Sequence, residues 1–145
     1  MYTIEEVDGI EEEATIRRMN ALCPDIFPEL EPHHIEDGYW WLTYHNEIRE
    51  PVAFAGMVSM APFANVCYFK RCLVLPDHAG HGLQLRMLFT REVRARDLGY
   101  EQLISECSEH SHSNLNFRRA NWEQVAPEQP WQPNNPGTVY WSKTL

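Results

Sequence analysis

Two periodicities alternate along this chain, one typical of strands and one typical of helices. Segments rich in aromatic and β-branched residues predict strands, and apolar residues recurring every three or four positions among charges predict helices. Pro24, Pro28 and Pro32 predict a loop, with or without a short helix inside it. Strands are predicted at residues 2–7, 38–45, 51–60, 66–75, 101–107 and 138–142, with a strand-like piece after Trp122. Helices are predicted at residues 10–22, 81–98 and 111–120.

One helix prediction is the clearest, at residues 81–98. Strands are predicted directly before and after this helix, which indicates a right-handed crossover between parallel strands. The two strands on either side of residues 46–50 predict an antiparallel hairpin, so we expect a mixed sheet. The apolar stripe of the helix that we expect to face the core consists of Leu85, Leu88, Phe89 and Val93.

The composition is that of an ordinary globular domain. The chain has 145 residues, 43% of them hydrophobic, which argues against disorder and predicts a single domain over residues 1–145. No apolar run approaches the roughly 20 residues of a membrane span, and the first residues do not resemble a secretory signal. A cytoplasmic protein without a membrane partner is therefore expected. The four scattered cysteines predict reduced, mostly buried thiols, the alternative being one thiol near the active site, for which Cys107 is best placed. The histidines lack zinc-site spacing, so no metal site is expected.

The net charge of −9 is concentrated at one end of the chain. Residues 1–37 hold eleven acidic side chains and two basic ones, whereas residues 38–145 hold ten of each. An acidic surface disfavours nucleic acid as a partner and attracts a cationic small molecule or a basic peptide. The alternative is that these carboxylates are only the solvated faces of helices.

A glycine-containing turn joins the fourth predicted strand to the long helix. The strand ends at Leu75, and Gly80 and Gly82 stand at the start of the helix. Glycine lets the backbone approach a ligand closely, and the first N–H groups of a helix have no intrahelical partner. A phosphate or pyrophosphate site is therefore predicted, the alternative being a tight turn without a ligand. A dinucleotide-binding fold fits poorly, because its glycine loop follows the first strand.

The segment Val74-Leu75-Pro76, with Gly80 and Gly82 behind it, resembles the GNAT superfamily of N-acetyltransferases. In that superfamily a strand ending in Val-x-Pro leads to Arg-Gly-x-Gly-x-Gly and then to a long helix. The likeness covers the chain from about residue 38 to its end. It implies the α/β (α+β) acyl-CoA N-acyltransferase fold, with a mixed central sheet of six to seven strands flanked by helices on both faces.

The resemblance also implies acetyl-CoA as the cofactor. Ala79 stands where the family has arginine, and Gln84 where it has the third glycine, so weakened rather than abolished cofactor binding is expected. The pantetheine arm would pair with the strand at Leu73, Val74 and Leu75, and the Val74 N–H would donate to the thioester carbonyl. The pyrophosphate would be bound by the backbone N–H groups of Gly80, His81, Gly82, Leu83 and Gln84.

A later family motif, Asn-x-x-Ala-x-x-x-Tyr-x-x-x-Gly-Phe, is poorly kept. Phe117 replaces its tyrosine, which in many members protonates the departing CoA thiolate, and residues 68–72 lack the glutamate that many relatives carry there. Asn114 is expected to contact CoA. For the remaining candidates a structural role stays open beside general acid–base catalysis. These candidates are His78, Glu106, Glu109, His110 and Tyr140.

The expected activity is acetyl transfer from acetyl-CoA directly to a primary amine of a small cationic molecule, a peptide or a protein. One alternative is a catalytically weak or inactive module that binds CoA or a protein partner. A further alternative is that the chain modifies or blocks a larger protein, with residues 127–137 as the contact loop. Trp131 in that loop is expected to cover the acceptor pocket, and a homodimer stays open.

Overall fold

The computed structural model describes residues 1–23, 29–60, 63–127 and 137–145. Its centre is one mixed sheet of seven strands in the order β1-β2-β3-β4-β5-β7-β6. Neighbouring strands are antiparallel except for β4 and β5, which are parallel, so the predicted mixed sheet is confirmed. The strands are β1 (Tyr2–Val7), β2 (Tyr39–His45), β3 (Pro51–Met60), β4 (Phe63–Val74), β5 (Gln102–Ser108), β6 (Glu123–Val125) and β7 (Thr138–Thr144).

The described residues form four α-helices and one 3₁₀ turn. Pro32 occupies the first turn of α2, where its missing N–H costs no helical hydrogen bond, so the proline-rich segment does contain a short helix. The first helix starts later than predicted, because Asp8 Oδ1 accepts hydrogen bonds from the N–H groups of Ile10 (2.8 Å) and Glu11 (3.2 Å). The helices are α1 (Glu13–Ala21), α2 (Pro32–Asp37), α3 (Leu83–Asp97) and α4 (Ser113–Arg119), and the 3₁₀ turn is Pro76–His78.

Both faces of the sheet are covered by helices, as predicted. Consecutive residues of a strand point to opposite faces, so Trp40 packs with α1 and α2 while Trp41 packs in the core on the α3 and α4 side. The strand aromatics Trp40, Trp41, Phe54 and Tyr68 are all buried. The side of the sheet that carries α1 and α2 is called the α1/α2 face below.

A β-bulge interrupts β4 near its C-terminal end. Lys70 lies opposite Gly56 and Cys72 lies opposite Ala55, so Arg71 is the extra residue, and it adopts a positive φ of 61°. The bulge shifts the alternation of β4 by one position. The side chains before the bulge and those after it therefore alternate between the two faces of the sheet in opposite phase.

The core-facing stripe predicted for α3 is confirmed for Leu85 and Leu88, which pack in the core, and wrong for Phe89 and Val93. Phe89 is 44% exposed and Val93 is 55% exposed, whereas Arg91 and Glu92 are buried. The buried Arg91 guanidinium donates to the Gly56 carbonyl oxygen (3.0 Å) and lies within 3.4 Å of the Arg71 carbonyl oxygen, so it binds the backbone around the bulge. The helix α3 therefore directs two charged side chains, those of Arg91 and Glu92, toward the interior of the protein. The residues of α3 that are buried are Leu83, Met87, Leu88, Arg91, Glu92 and Ala95.

Glu92 is buried beside Lys143 of β7, and the two form an ion pair. Lys143→Met is expected to destabilise the fold by about 3 kcal/mol, because it leaves the Glu92 carboxylate buried without its cation. Urea unfolding measures this loss. The double variant Glu92→Met/Lys143→Met is expected to recover most of it. Equal losses in the single and double variants would show that the ion pair is not the cause.

Candidate active site

The sheet opens between β4 and β5. The parallel pairing of the two strands ends at Tyr68↔Ile104, and just beyond it the Ser105 hydroxyl donates to the Phe69 carbonyl oxygen (2.9 Å). β4 continues to Val74, paired with β3 on its other side. The edge of β4 that faces the opening is thus available to an extended ligand that carries amide groups.

The N-terminus of α3 lies at the end of this opening. Gly80 and Gly82 have positive φ values of 84° and 71°, and Gly82 is the N-cap residue of α3 in the left-handed conformation. No side chain of the described residues caps the helix, and a Cβ at either glycine would meet nothing within 4 Å. The space beside the two glycines is therefore open, and no described side chain caps the first N–H groups of α3. This geometry fits a phosphate or pyrophosphate.

Gln84 shows why the missing third glycine is compatible with such a loop. Its Nε2 donates to Ser113 Oγ (2.6 Å), and its Oε1 accepts from Asn116 Nδ2 (2.6 Å). The side chain therefore joins α3 to α4 and leaves the backbone N–H of Gln84 in the first helical turn. Ala79, which stands in place of the arginine, is exposed and donates its N–H to the Pro76 carbonyl oxygen (3.2 Å).

Aromatic rings from other parts of the chain lie around the predicted phosphate loop. The Tyr2 hydroxyl lies 3.0 Å from His78 Nδ1, and the Tyr2 ring centroid lies 5.3 Å from that of His81. His45 of β2 contacts the same tyrosine at 5.1 Å between ring centroids. No local pattern predicts this arrangement, because it depends on the pairing of β1 with β2.

The structure brings two of the candidate acid–base residues together. Glu106 of β5 lies directly opposite Tyr140 of β7, so their side chains project from the same face of the sheet. The Tyr68 hydroxyl of β4 donates a hydrogen bond to Glu106 Oε1. Tyr140 is 6% exposed and Glu106 is half-buried. A carboxylate and two phenols thus meet on the α1/α2 face beside the opening.

The other candidates lie elsewhere, and His78 ends the 3₁₀ turn before α3, beside Tyr2. Glu109 and His110 follow the end of β5 and are exposed, and Glu109 Oε1 lies 3.4 Å from His110 Nε2. The Glu109 N–H donates to the Gly137 carbonyl oxygen (2.7 Å), so its backbone joins the turn after β5 to the start of β7. These residues therefore form a surface pair that is separate from Glu106.

Asn114 and Phe117 of α4 are occupied within the protein. Asn114 Nδ2 lies within hydrogen-bond distance of three carbonyl oxygens of the preceding turn, at 2.9 to 3.1 Å, and its Oδ1 accepts from Trp141 Nε1 (3.1 Å). The Phe117 ring stacks on Trp141 with 5.6 Å between ring centroids. Asn114 thus holds the turn between β5 and α4, and Phe117 is a core residue. The predicted contact of Asn114 with CoA stays a prediction.

The thiols are poor nucleophiles. All four cysteines are free, as predicted, although only Cys67 is fully buried. Burial raises the pKa of Cys67 to about 12 and that of Cys107 to about 11, so both are protonated at neutral pH. Neither thiol is therefore suited to carry an acyl group, which favours direct transfer.

A cationic cluster that the sequence did not point to lies beside Glu106. Lys70 is only 8% exposed, and burial together with Arg71 lowers its pKa to about 8, although Glu106 and Glu31 act in the opposite direction. Arg71 Nε donates to Asn20 Oδ1 of α1 (2.8 Å). In the sequence, residues 68–72 stand out only for lacking a carboxylate, and a lysine in a strand gives no sign that it is buried.

His34 of α2 belongs to the same cluster. Burial, followed by the positive charges of Lys70, His33 and Arg71, lowers the pKa of His34 to about 4. This histidine is therefore neutral at physiological pH, chiefly because burial disfavours its charged form.

The described part of the chain contains no group of three or more His, Cys, Asp or Glu side chains that could hold a metal ion. Among the same residues, no helix is long and apolar enough to cross a membrane. Trp131 and most of the loop at residues 127–137 lie outside the described residues, so the predicted cover of the acceptor pocket stays a prediction.

The seven-stranded sheet with its opening and its α3 loop defines the acyl-CoA N-acyltransferase fold. Residues 6–121 match the model of the acetyltransferase (GNAT) family. The protein belongs to this family, as the motif around Gly80 predicted. No curated protein sequence is significantly similar to this chain.

Three solved structures illustrate the likeness in fold. One is described as an acyl-CoA N-acyltransferase from Klebsiella pneumoniae, 24% identical, with a TM-score of 0.72 over 100% of this chain and 98% of that one. The ribosomal-protein-S18-alanine N-acetyltransferase from Escherichia coli is 14% identical, with a TM-score of 0.74 over 99% and 94%. A Bacillus subtilis acetyltransferase in complex with CoA is 12% identical, with a TM-score of 0.71 over 100% and 99%. At such identities these likenesses show the fold alone.

Proposed function

We propose that the protein transfers an acetyl group from acetyl-CoA to a primary amine of a small molecule or a peptide. The observation that carries this proposal is that the α3 loop, the edge of β4 without a β5 partner and the pair Glu106 and Tyr140 lie along the same opening in the sheet. Anion-binding N–H groups stand at one end of the opening and acid–base side chains at the other. That combination is what direct acyl transfer requires.

The cofactor would be held chiefly by backbone groups. Pantetheine would pair with Leu73, Val74 and Leu75, with the Val74 N–H directed at the thioester oxygen. When bound, acetyl-CoA supplies a thioester whose carbonyl carbon is attacked by the amine. Because backbone donors carry the binding, the missing arginine at Ala79 weakens it without removing the site. The pyrophosphate would be bound by the N–H groups of Gly80, His81, Gly82, Leu83 and Gln84.

Proton transfer would use the pair on β5 and β7. Glu106 would accept a proton from the attacking amine, and the Tyr68 hydroxyl would hold the carboxylate in position. Tyr140 would donate a proton to the departing sulfur, which is the role that Phe117 cannot perform. The separation of Glu109 and His110 from this pair supports Glu106 and Tyr140 as the catalytic residues.

The acceptor's amine would be attracted by the acidic first quarter of the chain. Glu11 and Glu36 are exposed on the segments that lead into α1 and form α2, on the side of the sheet where Glu106 and Tyr140 lie. A protonated amine approaching this side is drawn to the carboxylates over a distance of about 10 Å at ordinary salt. A cationic amine group is therefore favoured in the acceptor.

Calorimetry and a turnover assay test the proposal together. Acetyl-CoA is expected to bind with one site per chain, and free CoA thiol is expected to appear when a panel of primary amines is added. Failure to bind acetyl-CoA at millimolar concentration would contradict the proposal. Binding without turnover on any amine would instead support the second candidate, a CoA-binding module without activity. The burial of Phe117 at the usual tyrosine position favours that second candidate.

A further inference from the structure

Lys70 is a buried cation without a counter-ion among the described residues. Its side chain is on the α1/α2 face and is 8% exposed, and its Nζ lies 5.7 Å from the centroid of the Tyr68 ring. Neither an ion pair nor a hydrogen bond joins Nζ to any described residue. An ammonium with so little access to water and no ion pair to a described residue would be stabilised by an anion that a ligand brings.

Charged groups of both signs lie around Lys70. Arg71 of the bulge, which donates to Asn20, adds a second cation, and His34 across the cluster is neutral because its pKa is lowered to about 4. The carboxylates that act on Lys70 are those of Glu106 and Glu31. Glu106 accepts the Tyr68 hydroxyl and forms no direct ion pair with Lys70, so it compensates the ammonium only from a distance.

The location of Lys70 relates it to the acceptor rather than to CoA. Tyr68 contacts both Glu106 and Lys70, since its hydroxyl binds Glu106 and its ring lies beside Lys70 Nζ. Lys70 is thus a near neighbour of the carboxylate that would take the proton from the amine. It also lies on the α1/α2 face, whereas Gln84 directs its side chain to α4, on the other side of the sheet.

We propose that the acceptor carries, within a few bonds of its amine, a carboxylate that Lys70 binds. The acceptor is then a zwitterion of the amino-acid type, in which the acidic surface attracts the amine and Lys70 receives the carboxylate. This inference rests on the proposed acetyl transfer and narrows its substrate class. Polyamines and other purely cationic amines are disfavoured, because Lys70 and Arg71 repel them next to Glu106.

Matched acceptors test this specificity. Amino acids and their primary amides differ only in the carboxylate, so the ratio of kcat/KM for acid over amide measures its recognition. Wild type is expected to prefer the acid by about tenfold or more, the effect of a hydrogen bond to a charged group. Lys70→Met is expected to bring the ratio close to one, and Lys70→Arg to retain most of it. Arg49→Met, which removes an exposed charge from the turn between β2 and β3, is the control and is expected to leave the ratio unchanged.

The pH dependence of the acid-over-amide ratio is a second measurement, which would not change if Lys70 had only a structural role. In wild type the preference for the acid is expected to fall as the pH rises above about 8, because the Lys70 ammonium, whose pKa is lowered, loses its proton there. Lys70→Arg is expected to keep its preference over the same range, since a guanidinium stays protonated. Circular dichroism and acetyl-CoA affinity check that the variants fold and bind cofactor.

The outcomes separate this inference from the function on which it rests. If amines are acetylated but amides are used as well as acids, the inference is wrong and the acetyl transfer stands. If no amine is acetylated, the proposed function is wrong, and calorimetry of the CoA-bound protein with the acid and amide pairs then decides the role of Lys70. Binding of the acids that Lys70→Met abolishes would support an anion site, whereas equal binding of acids and amides would overturn it.

Discussion

Gly82→Val is expected to abolish acetyl-CoA binding and to leave the fold intact. The backbone of Gly82 has a φ of 71°, which a β-branched residue adopts only at a cost of about 1–2 kcal/mol. Apart from Gly82 and its chain neighbours, no atom of the described residues lies within 4 Å of the position that a Cβ would take, so the new side chain projects into the space proposed for the pyrophosphate. We expect the affinity for acetyl-CoA to fall by about 100-fold or more in calorimetry, in line with the loss of two charge-assisted hydrogen bonds.

Gly99→Val is the matched control for this variant. Gly99 follows the opposite end of α3, has a φ of 89° and likewise has no protein atom within 4 Å of the position of an added Cβ. The cost to the backbone is therefore similar, while the predicted loop is untouched. Gly99→Val is expected to keep the wild-type affinity for acetyl-CoA. A loss of affinity that is equal in both variants would show that strain, and not blockage of an anion site, is responsible.

Glu106→Gln is expected to lower kcat about 10²- to 10³-fold and to leave the affinity for acetyl-CoA unchanged. The amide keeps the shape of the side chain and can still accept the Tyr68 hydroxyl, but it cannot take a proton from the amine. Steady-state kinetics with the best acceptor of the panel, combined with calorimetry, measures the two quantities separately.

Two variants test whether the effect is specific to this carboxylate. Glu123→Gln removes an exposed carboxylate of β6 and is expected to retain full activity. Tyr140→Phe is expected to lower kcat by about tenfold or more, because the departing sulfur would lose its proton donor. Wild-type kcat in Glu106→Gln would contradict the assignment of the base.

Local sequence signals predicted the elements and the glycine-containing turn well. Gly80 and Gly82 were identifiable because glycine is the residue that tolerates a positive φ, and the helix behind them followed from its own periodicity. The strands and their mixed pairing followed from the order of the elements. Such features depend on residues that are close together along the chain.

The parts that sequence reasoning missed depend on residues from distant segments. Phe89 and Val93 of α3 were assigned to the core because they are apolar, yet the buried positions of that helix include Arg91, whose guanidinium meets carbonyl oxygens of β3 and β4. The pairing of Glu106 with Tyr140 required the register of β5 against β7. Neither the contact of Arg91 with the strand carbonyl groups nor the pairing of Glu106 with Tyr140 can be predicted from the spacing of residues along the chain.

The bulge at Arg71 gives β4 a place where its length can change by one residue. Lys70 before the bulge and Leu73 after it both face α1 and α2, although strict alternation through Arg71 would turn Leu73 to the other side. Deletion of Arg71 would therefore restore regular pairing and leave Lys70, Cys72 and Leu73 on their present faces. A deletion in the regular part of the strand is not absorbed by a bulge. It would move the side chains on one side of the deletion to the opposite face of the sheet. The extra residue is thus a position of this strand that can be lost without exchanging the side chains of its two faces.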